Sequence, residues 1–202
     1  MPKSSRAIKR DAIGQFVTPQ NTETIPIAAP KDEDKPKTGA ITYTNRAAEE
    51  ITNRLEGMNI DQSSIWAGTI HQFCMHFIIR PYAMYSKRLC KGYRIIDDYS
   101  KKAYGREIAE RLGMHLNYYD DPFQYENVRT EYKRVLKEKK EIDFDAILLI
   151  SEELLASCAF IGSNIASVIS SILVDEFQDT NELQYSILST IYKANKSIIL
   201  MF

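Results

Sequence analysis

Apolar positions along this chain follow two rhythms. Short compact runs, Gly39 to Tyr43, Ile65 to Gly68, Ser171 to Asp175 and Ser197 to Phe202, have the length and β-branched content of strands. Between them, apolar residues recur at helical spacing. Ala47, Ala48, Ile51 and Leu55 share one face of a helix from Asn45 to Leu55, which Thr44 or Asn45 can cap. Ile70, Phe73, Cys74, Phe77 and Ile78 predict a helix from His71 to Ile79, running toward Pro81. Leu183, Ile187, Leu188 and Ile191 make the stripe of another, with Asp179 and Glu182 placed as its capping box. Strands alternating with helices predict an α/β fold built on a parallel sheet.

The middle of the chain breaks this alternation. Residues 82–165 are rich in Tyr, Lys, Arg and Glu and read as helices over Lys101–Leu112, Asn127–Lys140 and Asp145–Ala156. Gly113 and Asp120-Asp121-Pro122 separate them. Glu107 with Arg111 and Arg134 with Glu138 lie one helical turn apart and are placed to pair. The basic run Lys133, Arg134, Lys137, Lys139 and Lys140 reads first as a solvated helix face. Residues 1–23 show no periodicity and read as a tail. The expected division is therefore a tail over 1–23, an α/β domain split into 24–81 and 166–202, and an inserted helical subdomain over 82–165.

Composition narrows the class. A length of 202 residues allows one large or two small domains, and 44% apolar residues are ordinary for a globular protein. With 26 basic and 27 acidic side chains, the net charge of −1 argues against a generally basic coat, though not against a local basic groove. The three Cys (Cys74, Cys90, Cys158) are widely spaced and form no metal pattern with His71, His76 and His115. That usage suits a reducing compartment. No apolar run reaches bilayer length, so a membrane role is not expected.

The most informative stretch is Ile172-Leu173-Val174-Asp175-Glu176-Phe177-Gln178-Asp179-Thr180. An aliphatic run ends in adjacent carboxylates, which is how a buried parallel strand delivers acids to a site at its carboxyl end. Such a pair suits metal-assisted phosphoryl transfer, one acid on Mg²⁺ and its neighbour on a water. The string resembles motif II, the Walker B element, of UvrD/Rep-like superfamily 1 DNA helicases. Ile41-Thr42-Tyr43-Thr44-Asn45-Arg46-Ala47-Ala48-Glu49-Glu50-Ile51 resembles motif Ia, and Gly68-Thr69-Ile70-His71-Gln72-Phe73-Cys74 resembles motif Ib. Asp143 to Leu149 is similar to a stretch the family places before motif II. The matches follow the family's order and span most of Ile41 to Phe202.

The resemblance implies a RecA-like, P-loop NTPase-type parallel sheet with an inserted helical subdomain. It implies ATP and Mg²⁺ as ligands, with Asp175 as the Mg²⁺ carboxylate and Glu176 as general base. Gln178 would couple nucleotide state to the motor, and Gln20 would contact adenine. It implies 3′–5′ translocation on single-stranded DNA, or at a single/double-strand junction. Tyr43 would stack on a base, with Thr44, Asn45, Thr69 and His71 against phosphates. A cytoplasmic, nucleoid-associated location follows, or a nuclear one in a eukaryote. Plainer roles stand beside these: a solvated turn residue for Gln20, core packing for Tyr43, capping for Thr44, Asn45, Thr69, His71 and Asp179 and for the Asp175-Glu176 pair, and a loop contact for Gln178.

One family element is missing. None of the eight Gly is followed by Lys, so the sequence holds no G-x-x-x-x-G-K-[ST] phosphate loop. Thr24 to Pro30 resembles the strand leading into that loop, but Lys31-Asp32-Glu33-Asp34-Lys35-Pro36 follows it. The missing loop argues against tight ATP binding by this chain alone. It predicts a helicase fragment without hydrolysis, the remaining helicase domains being absent. The alternatives are a non-catalytic DNA- or protein-binding module and a mis-joined reading frame. Without the helix that follows the loop, the apolar surface of Ile25, Ile27, Ile41, Ile172 and Val174 is expected to be wet unless Asp11–Gln20 folds over the gap.

Overall fold

The computed structural model describes residues 38–58, 60, 64–194 and 199–201. It divides into two compact units, one of residues 86–146 and the other of residues 38–85 and 147–201 among those described.

The second unit holds the sheet. Strand β1 (Thr38–Thr42) leads into helix α1 (Asn45–Gly57), and β2 (Ile65–Thr69) into α2 (Ile70–Phe73). The helix does not stop at Phe73. It continues through a π-helical segment, Cys74–Ile79, into α3 (Arg80–Tyr82) and a 3₁₀ turn, Ala83–Tyr85. The chain then passes through the other unit, where β3 (Arg94–Ile95), α4 (Asp98–Arg111), α5 (Glu126–Lys139) and β4 (Glu141–Ile142) lie. Helix α6 (Phe144–Ser157) and α7 (Ala159–Val168) follow, then β5 (Ser171–Val174), α8 (Glu182–Ala194) and β6 (Ile199–Met201).

The four strands β1, β2, β5 and β6 form one parallel sheet in the order β2-β1-β5-β6. Register fixes which side chains share a face. Gly39 lies opposite Trp66 and Ile172, and Ile41 opposite Gly68 and Val174, so these six face one way. A Cβ on Gly39 would meet Ile169 and Phe73 at 3.9 Å, which identifies part of the cover on that face. Ile41, Ile172 and Val174 are accordingly buried, against the expectation of a wet face; Ile25 and Ile27 lie outside the described residues. Among the strand residues whose burial is described, Leu173, on the opposite face, is an exposed aliphatic one. On α8, Ile187, Leu188 and Ile191 are buried as their spacing predicts. Its neighbour α7 approaches closely at Gly162, where a Cβ would stand 3.0 Å from that of Ala194.

The unit of residues 86–146 packs α4 against α5 around Ile96, Ile108, Ala109, Val128, Tyr132 and Leu136. Two short strands, β3 and β4, pair in parallel beside them. They are too brief to leave a pattern in the sequence. Arg94 on β3 pairs with the buried Glu141 directly across. At the end of β4, Asp143 caps α6 by accepting from the Ala146 N–H at 2.9 Å, and it also accepts from the Tyr132 hydroxyl at 2.9 Å. Arg134 pairs with Glu138 as expected. Arg111 departs from expectation: it reaches across to Glu131 on α5 rather than along its own helix to Glu107.

Candidate functional site

The carboxyl ends of β1, β2 and β5 lie at one edge of the sheet. Thr42 pairs with Thr69, and Ile41 with both Gly68 and Val174. The Asp175 N–H donates to the Ile41 carbonyl at 2.9 Å, extending the β5–β1 ladder to the first acid. Tyr43, Thr69 and Asp175 therefore leave the sheet together. Ligands of open parallel sheets bind at such an edge.

Each exit has its own local chemistry. After β1, the buried Thr42 hydroxyl donates to the Thr44 carbonyl at 2.9 Å, closing a tight turn over Tyr43. Tyr43 is 65% exposed, so it is not a core residue. Thr44 caps α1, its hydroxyl accepting from the Ala47 N–H at 3.2 Å, and Asn45 is the exposed first residue of that helix. After β2, Thr69 and Gln72 form a reciprocal capping box: the Gln72 N–H donates to the Thr69 hydroxyl at 3.3 Å, and the Thr69 N–H to the Gln72 side-chain oxygen at 2.8 Å. His71 sits half-buried in the first turn.

Beneath this box, Trp66 packs edge-on to Phe73 and Phe77, with ring centres 5.6 and 5.4 Å away. His76 lies beside both Trp66 and Phe77. Burial first, and then Arg80, lower the pKa of His76. Burial pushes the Cys74 thiol up to about 12, so it is an inert core group. The π-helical segment falls across this cluster. Such segments are irregularities of packing, and the apolar spacing around Phe73 and Phe77 gave no sign of it.

After β5, the chain reverses at Glu176, whose φ of 52° and ψ of 46° are left-handed. Non-glycine residues adopt that conformation at a cost of about 1–2 kcal/mol. Asp175 and Glu176 are both exposed, and the Gln178 amide donates to the Glu176 carboxylate. A 3₁₀ turn, Phe177–Asp179, consumes the residues expected to cap α8. The capping box is instead Asn181 with Gln184: the Gln184 N–H donates to the Asn181 side-chain oxygen at 2.9 Å, and the Asn181 N–H to Gln184 at 3.2 Å. Asp179 and Glu182 do not form it. Gln20 lies outside the described residues.

An exposed Asp at the end of a buried strand fits one carboxylate of a Mg²⁺ shell. Among the described residues no group of three or more His, Cys, Asp or Glu could hold a metal, so phosphate or water would have to complete that shell. The phosphate cradle itself does not fit: the sequence has no glycine-rich loop ending in Gly-Lys. No hydrolytic step can be assigned to this chain's own residues.

Comparison with known proteins identifies the family of the chain. The family model for the UvrD/REP helicase N-terminal domain matches residues 29–121 and 117–201. The chain is 24% identical over 189 residues to an ATP-dependent DNA helicase PcrA of Leuconostoc citreum, covering 79% of the chain and 25% of that protein. It is 25% identical over 175 residues to DNA helicase II of Escherichia coli strain K12, covering 73% and 24%. It is 26% identical over 178 residues to ATP-dependent DNA helicase UvrD1 of Mycobacterium tuberculosis strain H37Rv, covering 72% and 23%. The chain thus spans about a quarter of the length of these relatives. No helix among the described residues is long and apolar enough to cross a membrane.

Proposed function

The chain belongs to the UvrD/REP helicase N-terminal domain family, and from that premise we propose that its sheet edge grips single-stranded DNA while ATP is not hydrolysed by this chain alone. One observation carries the reading: three strand ends, with Tyr43, Thr69 and Asp175, emerge along a single edge. Tyr43 offers an exposed ring for stacking on a base, which needs no sequence preference. Thr44, Asn45, Thr69 and His71 stand at helix N-termini, where hydroxyls and amide N–H groups meet phosphate oxygens. Asp175 keeps the position of the Mg²⁺ carboxylate and Glu176 that of the general base. Gln178 is the coupling residue, and its hydrogen bond to Glu176 supports that pairing. Gln20 is the adenine contact. The sheet forms the first RecA-like domain of a translocating motor, split by a helical insertion over about residues 82–165 and acting at a single/double-strand junction.

Titration of a labelled oligonucleotide tests the reading. Binding should weaken steeply with salt. Tyr43→Ala should cost about 1–3 kcal/mol, the usual worth of one stacked base, and His71→Ala should also weaken binding. No binding at low salt, or binding indifferent to both changes, overturns it. The second reading, a non-catalytic DNA- or protein-binding module, rests on the missing phosphate loop.

A further inference from the structure

Between Arg111 and Arg129 the sequence carries Asp120, Asp121 and Glu126, one His and no Lys or Arg, together with Tyr118, Tyr119 and Tyr125. Within the unit of residues 86–146 this segment is fastened from two helices. From α4, the Arg106 guanidinium donates to three carbonyls of one loop: Asn117 at 3.3 Å, Tyr118, and Asp120 at 3.4 Å. From α5, Arg129 donates to the carbonyls of Phe123 at 2.6 Å and Gln124 at 3.2 Å. Inside, Pro122 is buried and the Phe123 ring lies 4.9 Å from that of Tyr132. A Cβ on Gly105 would stand 2.9 Å from the Phe123 ring, so this glycine lets the loop close onto α4. The Asp120 carboxylate accepts from the Asn117 N–H at 2.7 Å and that of Asp121 from the Phe123 N–H at 3.0 Å.

A loop held this firmly presents two rings to solvent. Tyr118 is 81% exposed and Tyr119 94%. The rings stand perpendicular with centres 5.3 Å apart, forming an open corner. Tyr118 already has one cation near it, the Arg106 guanidinium 5.7 Å from its ring centre. Glu126 is neutralised by Arg129, whereas Asp120 and Asp121 are ion-paired to no described base. Tyrosines offer large, rigid contact area at little entropic cost, and a loop fixed beforehand loses little more on binding. Aromatic faces attract cations, and the adjacent carboxylates reinforce that attraction while repelling phosphate. The complement of this surface is a positively charged side chain.

We propose that the loop from Asn117 to Asp121 is a protein-docking site for a basic, arginine-bearing segment of a partner, a guanidinium seating against the Tyr118–Tyr119 corner with its charge met by Asp121. Asp121 is exposed and keeps one carboxylate oxygen beyond the bond to Phe123. The site is independent of the sheet edge and needs neither ATP nor DNA.

The test is a titration of the full chain into a labelled peptide of alternating Gly and Arg, read by fluorescence anisotropy, beside a peptide of alternating Gly and Gln. The Arg peptide should bind and the Gln peptide should not. Tyr119→Ala should weaken binding about 2–5-fold, the usual worth of one exposed cation–ring contact, and adding Tyr118→Ala should weaken it further. Tyr119→Phe keeps the ring and should bind as the wild type does. Asp121→Asn removes charge but keeps the acceptor for the Phe123 N–H, and should also weaken binding. Tyr99→Ala removes an equally exposed ring of the same unit and should change nothing. Thermal unfolding establishes that every variant folds. No binding of the Arg peptide, binding indifferent to Tyr119→Ala, or an equal loss in Tyr99→Ala overturns the proposal. So does a loss of oligonucleotide binding in Tyr119→Ala, which would make the corner a nucleic-acid contact instead.

Discussion

The Trp66 indole occupies the space that a side chain on Gly68 would need: a Cβ there would lie 2.6 Å from the ring and 2.9 Å from the Gln72 side-chain oxygen. Trp66 thus fixes the backbone just before the Thr69 capping box. Gly68→Ala must push the indole aside or break the box. Overpacking of this kind costs about 1–3 kcal/mol. Because Trp66 is the sole tryptophan, its emission should shift in the variant, and thermal unfolding should show a lowered midpoint. An unshifted spectrum with unchanged stability would contradict the packing described.

Hydrolysis provides a second prediction. DNA-stimulated phosphate release by the chain should stay at background, and Glu176→Gln should not lower it. The reason is the missing cradle: Asp175 can face Mg²⁺, but no Gly-rich loop or its Lys secures the β- and γ-phosphates. Release above background that vanishes in Glu176→Gln would show that the phosphates are held by other residues.

In the helical unit, Asp143 caps α6, accepts from Tyr132, and lies 3.7 Å from the Lys101 ammonium. Burial, then Asp143 itself, raise the pKa of Tyr132, so its phenol stays a donor. Tyr132→Phe removes one hydrogen bond and should cost about 1 kcal/mol. Asp143→Ala removes the cap as well and should cost about 2–3 kcal/mol. Denaturant titration of the single and double variants should give a coupling between them. Strict additivity would mean the two groups do not interact.

Much of this architecture was legible in the chain. The stripe of Ile187, Leu188 and Ile191, the strand before Asp175 and the helix after Thr44 follow from periodicity, because one buried face imposes its repeat on the sequence. What escaped was set by partners distant in sequence or by backbone detail. Arg111 chose Glu131 because α4 and α5 lie side by side. Asn181 rather than Asp179 caps α8 because a 3₁₀ turn intervenes, and nothing in Phe177-Gln178-Asp179 announces it. The left-handed Glu176 is invisible in the same way, since no glycine marks it.

The lowered pKa of His76 sets a pH dependence. Its ordinary value is 6.5, and the folded environment holds it below that. The unfolded chain therefore takes up the proton first as pH falls. The contribution to stability is fully present above the unfolded pKa and is lost as pH drops from there toward the folded one. Urea midpoints measured from pH 8 to pH 5 should fall below about pH 6.5 more steeply for the wild-type chain than for His76→Gln. Parallel profiles would assign the decline to other groups.

Thr38 and Ser171 share a hydrogen bond at 2.9 Å although 133 residues separate them along the chain. The central pairing of the sheet, β1 with β5, thus closes the longest loop in its ladder, while β1–β2 and β5–β6 close short ones. Entropy opposes that closure before any burial rewards it. The unit of residues 86–146 lies inside the loop with a core of its own. If it folds first, it shortens the loop that remains flexible. Its stability is then a kinetic matter for the rest of the protein: a helical unit inserted in the sequence between β1 and β5 governs how fast the strand bearing the acids finds its place.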